Sequence, residues 1–315
     1  MTTLVTGAQG FVGSAVCSRL HADYGVVKRA VRTLKSPSIC AGEVAVGSLS
    51  STTDWARALS GTTQVVHLAA RVHVMTERCV DPLTEFRRVN VAGTVNLAGQ
   101  AAANGVKRFV FVSSVKVRGE LTLHGQSFSA DDACAPEDPY GISKHEAEQA
   151  LRQIAAETGM EVVIIRPPLV YGPGVKANFA AMVRWLARGV PLPLGAVTHN
   201  RRSLVALDNL VDLITLCLTH PAAANQTFMV SDGEDLSTAD MLRRMGNALG
   251  RPARLLPVPV GVLKLGAQLV GKPDVFQRLC GSLQVDIAKT RELLGWQPPV
   301  SVDEGFRRVA QGFRA

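Results

Sequence analysis

The sequence has few aromatic residues and no apolar run long enough to cross a membrane. Aromatic residues make up 5% of the 315 positions and charged residues 19%, while hydrophobic residues reach 47%, which predicts a globular fold. The apolar stretch 258–271 contains Lys264 and Gln268 and is shorter than the roughly 20 residues that span a bilayer. We therefore predict that this stretch forms a helix that is buried or lies at an interface.

The sequence also lacks paired cysteines and clustered basic residues. None of its six cysteines forms a Cys-x-x-Cys pair, which argues against a zinc site or a redox dithiol. Unpaired thiols, together with a start ("MTTLVTGAQG") unlike a signal peptide, predict a cytoplasmic protein. The formal net charge is +8, but Lys and Arg are spread along the chain. We predict no nucleic-acid partner, since a small anionic ligand accounts for the excess equally well.

Strands and helices alternate through the first half of the chain. Apolar runs predict strands at 3–7, 26–32, 43–47, 64–70, 108–114 and 161–167, and helical spacing predicts helices at 11–23, 52–59, 84–105 and 140–159. Such alternation is typical of an α/β fold in which helices cover both faces of a parallel sheet. Pro and Gly become frequent after residue 170. We predict a doubly wound sheet domain (1–170) and a smaller, partly interleaved substrate-binding domain (171–315).

A glycine-rich turn separates the first predicted strand from the first predicted helix. The segment "VTGAQGFVG" places Gly7, Gly10 and Gly13 three residues apart. Glycine is needed where the chain turns tightly, where the backbone approaches a pyrophosphate and where a helix packs closely on a strand. The free N–H groups of the helix start attract phosphate. The turn predicts a Rossmann-type dinucleotide site that includes Phe11 and Val12.

The end of the second predicted strand lacks an acidic residue. A carboxylate at this point holds the ribose 2′-hydroxyl of NAD. Here Arg29 and Arg32 are present, and the next carboxylate is Glu43. The planar fork of Arg32 suits a 2′-phosphate. We therefore predict an NAD(P) cofactor, with a preference for NADP(H).

The segment "YGISK" places Tyr140 and Lys144 four residues apart at the start of a helix, and hence on one face. A free tyrosine has a pKa near ~10 and is a poor acid or base at neutral pH. A neighbouring ammonium and the positive ring of an oxidised nicotinamide both stabilise the phenolate and lower that pKa. Tyr140 is therefore a candidate to exchange a proton with an alcohol or a ketone.

With these motifs the chain resembles the extended short-chain dehydrogenase/reductase superfamily over nearly its whole length. The matching segments are "TGAQGFVG", "VVHLAA" (65–70), "VNVAGT" (89–94), "FVSSVKVRGE" (111–120), "YGISK", "IIRPPLVYGPG" (164–174) and "ELLGWQP" (292–298). The resemblance implies that Ser114 binds the reacting oxygen, that Tyr140 is the acid/base and that Lys144 binds the nicotinamide ribose. It also implies cofactor contacts from Ala69, Ala70, Arg71, Asn90 and Pro167, with Asn90 helping to position Lys144 or a water.

The second half resembles nucleotide-sugar enzymes of that superfamily. The segment "VKANF" places Asn178, and "NRRSLVALDNLVD" places Arg202, where such enzymes contact a diphosphate or sugar. An arginine fork suits phosphate oxygens, and an amide donates to them. The resemblance therefore implies a UDP-sugar substrate. It also implies a homodimer formed through the helices 84–105 and 140–159.

The residues after Ser114 narrow the reaction. Sugar-nucleotide dehydratases of the superfamily carry an acidic pair there, whereas this chain has Val115 and Lys116, so dehydration of that type is not expected. The string resembles bacterial enzymes of O-antigen and capsule synthesis. We predict a 4-reductase of a UDP-4-keto-6-deoxy-N-acetylhexosamine, with a UDP-glucose 4-epimerase as the alternative. Lys116 either contacts a substrate oxygen or phosphate or points to solvent. A ketone reductase of apolar substrates and a non-catalytic dinucleotide sensor fit the motifs less well.

Overall fold

A computed structural model describes residues 1–34, 42–72, 81–123 and 125–314. Its strands are β1 (Thr3–Thr6), β2 (Val27–Val31), β3 (Glu43–Ala45), β4 (Gln64–His67), β5 (Arg108–Val112), β6 (Glu161–Arg166), β7 (Leu169–Tyr171), β8 (Arg202–Ala206), β9 (Thr227–Met229) and β10 (Asp235–Leu236). Its helices are α1 (Phe11–Tyr24), α2 (Ala56–Leu59), α3 (Pro82–Phe86), α4 (Gly93–Ala103), α5 (Pro139–Thr158), α6 (Ala177–Ala187), α7 (Leu207–Thr219), α8 (Thr238–Ala248), α9 (Val260–Leu269), α10 (Pro273–Cys280), α11 (Ala288–Leu294) and α12 (Val302–Arg314).

Seven strands form one parallel sheet in the order β3-β2-β1-β4-β5-β6-β9. Successive residues of a strand face opposite sides of a sheet. Val5 accordingly packs on one side of the sheet, with Leu20 of α1 and Leu210 of α7. Its neighbour Leu4 packs on the other side, in a cluster that contains Leu97 of α4 together with residues of α5. The predicted doubly wound Rossmann-type α/β sheet is therefore confirmed. The strand β9 comes from the second half of the chain, so the two halves share this sheet.

Several elements of the second half form a separate core beside the sheet. Strands β10, β8 and β7 make a three-stranded sheet. A separate core of α6, α8 and α12 residues packs around Tyr171, whose hydroxyl donates to Asp232 over 2.7 Å. The boundary that we predicted at residue 170 remains a prediction.

Several predicted elements end earlier than their apolar runs do, because side chains capture the backbone. The fourth strand stops at His67, since the N–H groups of Leu68 and Ala69 donate to the Thr6 hydroxyl. The helix predicted at 52–59 is only α2, because the Asp54 carboxylate accepts from the Ala56 N–H and starts the helix there. The fifth strand stops at Val112, before a single turn at 115–117.

The helix predicted at 84–105 runs from α3 to α4 through a π-helical segment, Arg87–Ala92. The helix predicted within 258–271 is α9, and no residue of α9 is buried within the described part of the chain. A buried helix is therefore the wrong alternative, and an interface helix remains a prediction. None of the described helices combines the length and the apolar content needed to cross a bilayer.

Candidate active site

The predicted cofactor residues follow neighbouring strands at one edge of the sheet. Gly7 follows β1, Ala69 and Ala70 follow β4, Ser114 follows β5 and Pro167 follows β6, and these four strands are adjacent in the sheet. Parallel strands share one carboxyl edge, and ligands bind there where the strand order reverses. In this sheet the order reverses between β1 and β4. The structure thus brings these predicted residues to the sheet edge at which a ligand crevice is expected.

The glycine turn leaves no room for side chains at two of its three positions. Gly7 has a φ of +66°, and a Cβ built on Gly13 would lie 2.1 Å from the Gly7 carbonyl oxygen. The Gly10 N–H closes the turn by donating to that oxygen over 2.8 Å. The first turn of α1 contains no acidic residue. Its free N–H groups, with the half-buried Phe11 and Val12, therefore suit the pyrophosphate of a dinucleotide.

A buried polar group that the sequence analysis missed holds β1 and β4 together beneath this turn. His67 is fully buried; its Nδ1 lies 2.6 Å from the Thr6 hydroxyl and its Nε2 lies 2.9 Å from the Thr94 hydroxyl. Burial lowers the pKa of His67 to about 3, and the charge of Lys144 adds to this shift, so the imidazole is neutral. The Thr6 hydroxyl then fixes the start of the 68–70 segment. Only the segment "VVHLAA" signalled this region in the sequence.

Asn90 fastens the segment after β4 to the helix that carries the predicted acid/base. Its side-chain oxygen accepts from the Arg71 N–H over 2.8 Å, and its amide donates to the Arg71 carbonyl and the Ser143 hydroxyl, each over 3.0 Å. The Ser143 hydroxyl in turn donates to the Tyr140 carbonyl over 2.8 Å. Asn90 therefore contacts Arg71 and Ser143, and a contact with Lys144 or a water remains a prediction.

Tyr140 and Lys144 lie in the first turns of α5, which begins after the Asp138 cap. Phe86 packs edge-on against the Tyr140 ring, with the ring centres 6.0 Å apart. Burial raises the pKa of Tyr140 to about 12, and the charge of Asp138 adds to this shift. The chain's own groups thus raise this pKa, opposite to the lowering that we predicted, and the acid/base role of Tyr140 remains a prediction.

Lys144 is buried, and its ammonium donates to the Val112 carbonyl over 2.7 Å. Burial lowers the pKa of Lys144 to about 7, although Glu148, one turn further along α5, opposes that shift. The amine also lies 3.9 Å from the centre of the Phe111 ring. Lys144 is therefore held at the end of β5, on the face of α5 that it shares with Tyr140.

Ser114 and Lys116 have different partners in the turn that follows β5. The Ser114 oxygen accepts from the Lys116 N–H over 3.2 Å, so the hydroxyl hydrogen remains available for a ligand oxygen. The Lys116 ammonium donates to Glu120 over 2.6 Å and to Asp138 over 2.5 Å. These hydrogen bonds raise the pKa of Lys116 despite its partial burial. Lys116 thus holds the cap of α5, and the substrate contact that we predicted for it remains a prediction.

The predicted substrate residues lie in the second half of the chain. Asn178 is exposed in the first turn of α6. Arg202 begins β8, and its guanidinium donates to the Gly281 carbonyl over 3.1 Å. Burial lowers the pKa of Arg202, which nevertheless remains a cation at neutral pH. A diphosphate contact for either residue remains a prediction.

Arg32, on which the NADP(H) preference depends, is exposed just after β2. Its carbonyl accepts from the Gly47 N–H over 3.2 Å, and residues 35–41 lie outside the described ranges. Within the described part of the chain, the Arg32 guanidinium makes no hydrogen bond.

One cluster in the described ranges has the atoms of a metal site. Ligand atoms of Cys134, His145 and Glu148 lie within 4.8 Å of one another. However, Arg166 donates to both Glu148 oxygens, over 2.9 and 2.5 Å, and to the Cys134 sulfur over 3.3 Å. A guanidinium at this place neutralises the carboxylate and repels a second cation. We therefore assign no metal to the cluster, which instead supports α5 from behind.

Comparisons with known proteins agree with this geometry. The family model "NAD dependent epimerase/dehydratase family" matches residues 3–231. The chain is 53% identical over 314 residues to a "UDP-glucose 4-epimerase" of Vibrio cholerae, covering 98% of this chain and 94% of the relative. It is 29% identical over 326 residues to an "N-acetyl-alpha-D-glucosaminyl-diphospho-ditrans,octacis-undecaprenol 4-epimerase" of Escherichia coli O157:H7, with the same two coverages.

A solved structure confirms the fold independently. The UDP-N-acetylglucosamine 4-epimerase from Bacillus cereus superposes over 100% of both chains with a TM-score of 0.82, at 19% identity. The family model and these relatives name NAD or no cofactor, so they give the NADP(H) preference no support. A match over most of the chain, with the glycine turn and the Tyr-Lys pair in place, identifies the chain as a member of the NAD dependent epimerase/dehydratase family.

Proposed function

We propose that the chain is an NAD-dependent 4-epimerase of UDP-hexoses. The observation that carries this proposal is the 53% identity over nearly the full length to a protein named as a UDP-glucose 4-epimerase. The 4-reductase that we favoured from the sequence uses the same Ser-Tyr-Lys set, so the site residues do not separate the two reactions. The identity favours the alternative, the 4-epimerase.

In this proposal the residues of the crevice move one proton and hold one oxygen. When bound, NAD would supply reversible hydride acceptance at C4, and the glycine turn, the residues after β4 and Lys144 would hold it. Tyr140 takes the proton of the C4 hydroxyl and later gives it back. Ser114 donates a hydrogen bond to the same oxygen, because its hydroxyl hydrogen is free while its oxygen accepts from the Lys116 N–H. Holding these groups in place supplies much of the rate gain.

The two cations near Tyr140 have separate tasks. Lys144 lies on the same face of α5 and favours the phenolate when it is charged. Lys116 pairs with Asp138, whose charge raises the pKa of Tyr140, and so partly offsets that charge. Asn178 and Arg202 hold the diphosphate in this proposal, since an amide and a guanidinium both donate to phosphate oxygens.

We propose NAD rather than NADP as the resident cofactor. The family description names NAD, and an epimerase retains its cofactor through the cycle. Arg32→Ala tests this choice. If NAD is resident, the variant co-purifies with as much NAD as the parent does, and added NADPH binds no better to the parent. A selective loss of NADPH binding in the variant contradicts the choice.

The experiment for the proposed function needs no added cofactor. Purified chain is incubated with UDP-glucose or UDP-N-acetylglucosamine, and the nucleotide sugars are separated by chromatography. We expect a mixture of the substrate and its C4 epimer, reached from either side. Absence of epimer, combined with stoichiometric oxidation of added NAD(P)H by a UDP-4-keto-6-deoxy-N-acetylhexosamine, contradicts the epimerase and establishes the reductase.

One observation favours a second substrate class for the same chemistry. The relative from Escherichia coli O157:H7 is named for a sugar carried on undecaprenol diphosphate. In this chain Arg202 contacts Gly281, at the end of the helix pair α9–α10, which exposes apolar side chains. N-Acetylglucosamine on a polyprenyl diphosphate therefore belongs in the same assay. Turnover of UDP-sugars alone, with none of the lipid-linked sugar, contradicts this second candidate.

A further inference from the structure

The helices α9 and α10, residues 260–280 and here called the hairpin, leave their apolar residues uncovered. No residue of either helix is buried within the described part of the chain. The exposed fractions are 57% for Val262, 58% for Leu265 and 79% for Leu269. Single exposed apolar residues are ordinary, but a contiguous apolar surface of this kind marks a place where something binds.

The three most exposed large apolar side chains of α9 form one stripe. Val262, Leu265 and Leu269 are spaced three and four residues apart, which places them on the same side of a helix. Leu263 and Ala267, on another side of α9, are only half exposed, and α10 is the helix that α9 packs against. The stripe is therefore an outer face of the hairpin, and it continues into the exposed Val270.

The charges around the stripe are positive with one exception. Arg251, Arg254, Lys264, Lys272 and Arg278 lie between residues 251 and 281, and all five are exposed. The only carboxylate in that range is Asp274. In the described residues no ion pair neutralises Lys264, Lys272 or Arg278. The hairpin thus presents apolar side chains among uncompensated cations.

These features select among possible partners. In a symmetric dimer the same patch faces its own copy, so Lys264 and Lys272 would meet their equivalents and repel them. An anionic bilayer can bind both the apolar and the basic side chains. Leucine and valine enter the boundary between headgroups and acyl chains, while lysine and arginine bind lipid phosphates. Long basic side chains also reach outward while their stems cover apolar surface. We propose that the hairpin docks the enzyme on the surface of an anionic phospholipid membrane.

The position of the hairpin relates the docked surface to the site. The α10 helix ends at Gly281, whose carbonyl accepts from Arg202 over 3.1 Å and from the Asn200 amide over 3.2 Å. Docking therefore places the β8 end of the molecule near the membrane. The proposal concerns where the enzyme binds and does not depend on which sugar it epimerises.

Vesicle sedimentation tests the proposal with the full chain. Vesicles of phosphatidylcholine with about 30% phosphatidylglycerol are compared with phosphatidylcholine alone, at about 50 and 500 mM NaCl. We expect binding to the anionic vesicles that weakens at high salt. The double variant Leu265→Ser/Leu269→Ser should bind at least about tenfold more weakly. The triple variant Lys264→Gln/Lys272→Gln/Arg278→Gln should lose the preference for anionic lipid.

Matched controls separate docking from folding. Val26→Ser/Leu293→Ser removes two apolar side chains that are 66% and 41% exposed elsewhere, and it should bind vesicles like the parent. The melting temperature and the solution turnover should be unchanged in the hairpin variants, because none of these residues is buried or placed in the site. Equal vesicle binding by Leu265→Ser/Leu269→Ser and the parent overturns the proposal. So does absence of binding by the parent, including the case in which the parent instead forms a dimer that this variant abolishes.

Discussion

The parallel sheet and the α9–α10 hairpin use similar side chains in opposite ways. In the sheet and its helices, apolar residues such as Leu97 and Val110 are fully buried, and polar ones such as His67 have partners. In the hairpin, Leu265 and Leu269 face outward among cations without partners. Burial therefore distinguishes a region that packs on itself from one whose apolar side chains no described residue covers.

The largest difference should concern catalysis. Tyr140→Phe removes the proton carrier and should lower kcat roughly 10²–10⁴-fold, the usual contribution of a positioned acid/base. Bound NAD and the melting temperature should stay close to the parent's values. Tyr24→Phe alters an exposed tyrosine of α1, 45% exposed, and serves as the matched control. Unchanged turnover in Tyr140→Phe would remove Tyr140 from the mechanism.

Part of this arrangement was predictable from sequence because it depends on local patterns. The glycine turn needs only three small residues between a strand and a helix, and Tyr140 and Lys144 share a face by helical spacing alone. Other features depend on partners far along the chain. Asn90 joins Arg71 to Ser143, and Lys116 pairs with Asp138, which no local pattern indicates.

Two further features, the exposure of the hairpin and the type of reaction, could not be predicted from the sequence. The sequence of the hairpin's first helix, α9, is as apolar as that of the buried helix α7, and only the structure reveals that no core covers it. The choice between epimerase and reductase was not predictable, because the same three residues, Ser114, Tyr140 and Lys144, are predicted to serve both reactions. An epimerase and a reductase differ in how tightly they retain the cofactor, and this difference does not correspond to a short sequence motif.

The next largest difference between the sheet region and the hairpin should be the loss of stability when a charged side chain is removed. Arg166 is 2% exposed, and its partner Glu148 is fully buried. Arg166→Met removes the nearer and more deeply buried of the two guanidinium partners of Glu148, leaving Arg152 at 3.4 Å, and should lower the free energy of unfolding by about 3–5 kcal/mol. Arg278→Met, in the hairpin, should change it by less than about 0.5 kcal/mol. Denaturant unfolding measures both, and similar losses in the two variants would contradict the contrast.

Truncation of leucine compares packing in the two regions. Leu97→Ala opens a cavity in the sheet core and should cost about 2–5 kcal/mol of unfolding free energy. Leu265→Ala removes a side chain that is 58% exposed and should cost less than about 0.5 kcal/mol. A large cost for Leu265→Ala in dilute solution would mean that the hairpin packs on the chain itself.

A pH-dependent stability difference should distinguish the buried lysine from an exposed one. The pKa of Lys144 is about 7 in the folded chain, against about 10.4 in an unfolded one. Because the folded-state pKa is the lower one, burying the amine costs most below about pH 7 and nothing above about pH 10.4. Lys144→Met should therefore raise the melting temperature more at about pH 6.5 than at about pH 9.5.

Lys264→Met, in the exposed hairpin, is the control for Lys144→Met. It should change the melting temperature by the same amount at the two pH values. Thermal melts of the parent and both variants in matched buffers provide the comparison. If Lys144→Met raises the melting temperature equally at the two pH values, Lys144 is not desolvated.

The most direct test of the account follows the hydride at C4. UDP-glucose deuterated at C4 is converted by the purified chain without added cofactor, and the epimer is analysed by mass spectrometry. If Tyr140 and Lys144 act beside a resident NAD that accepts and returns the hydride, the deuterium stays at C4 of the product and turnover is slowed by the label. Loss of the deuterium to solvent, or epimerisation with no slowing and no bound NAD, would contradict the account.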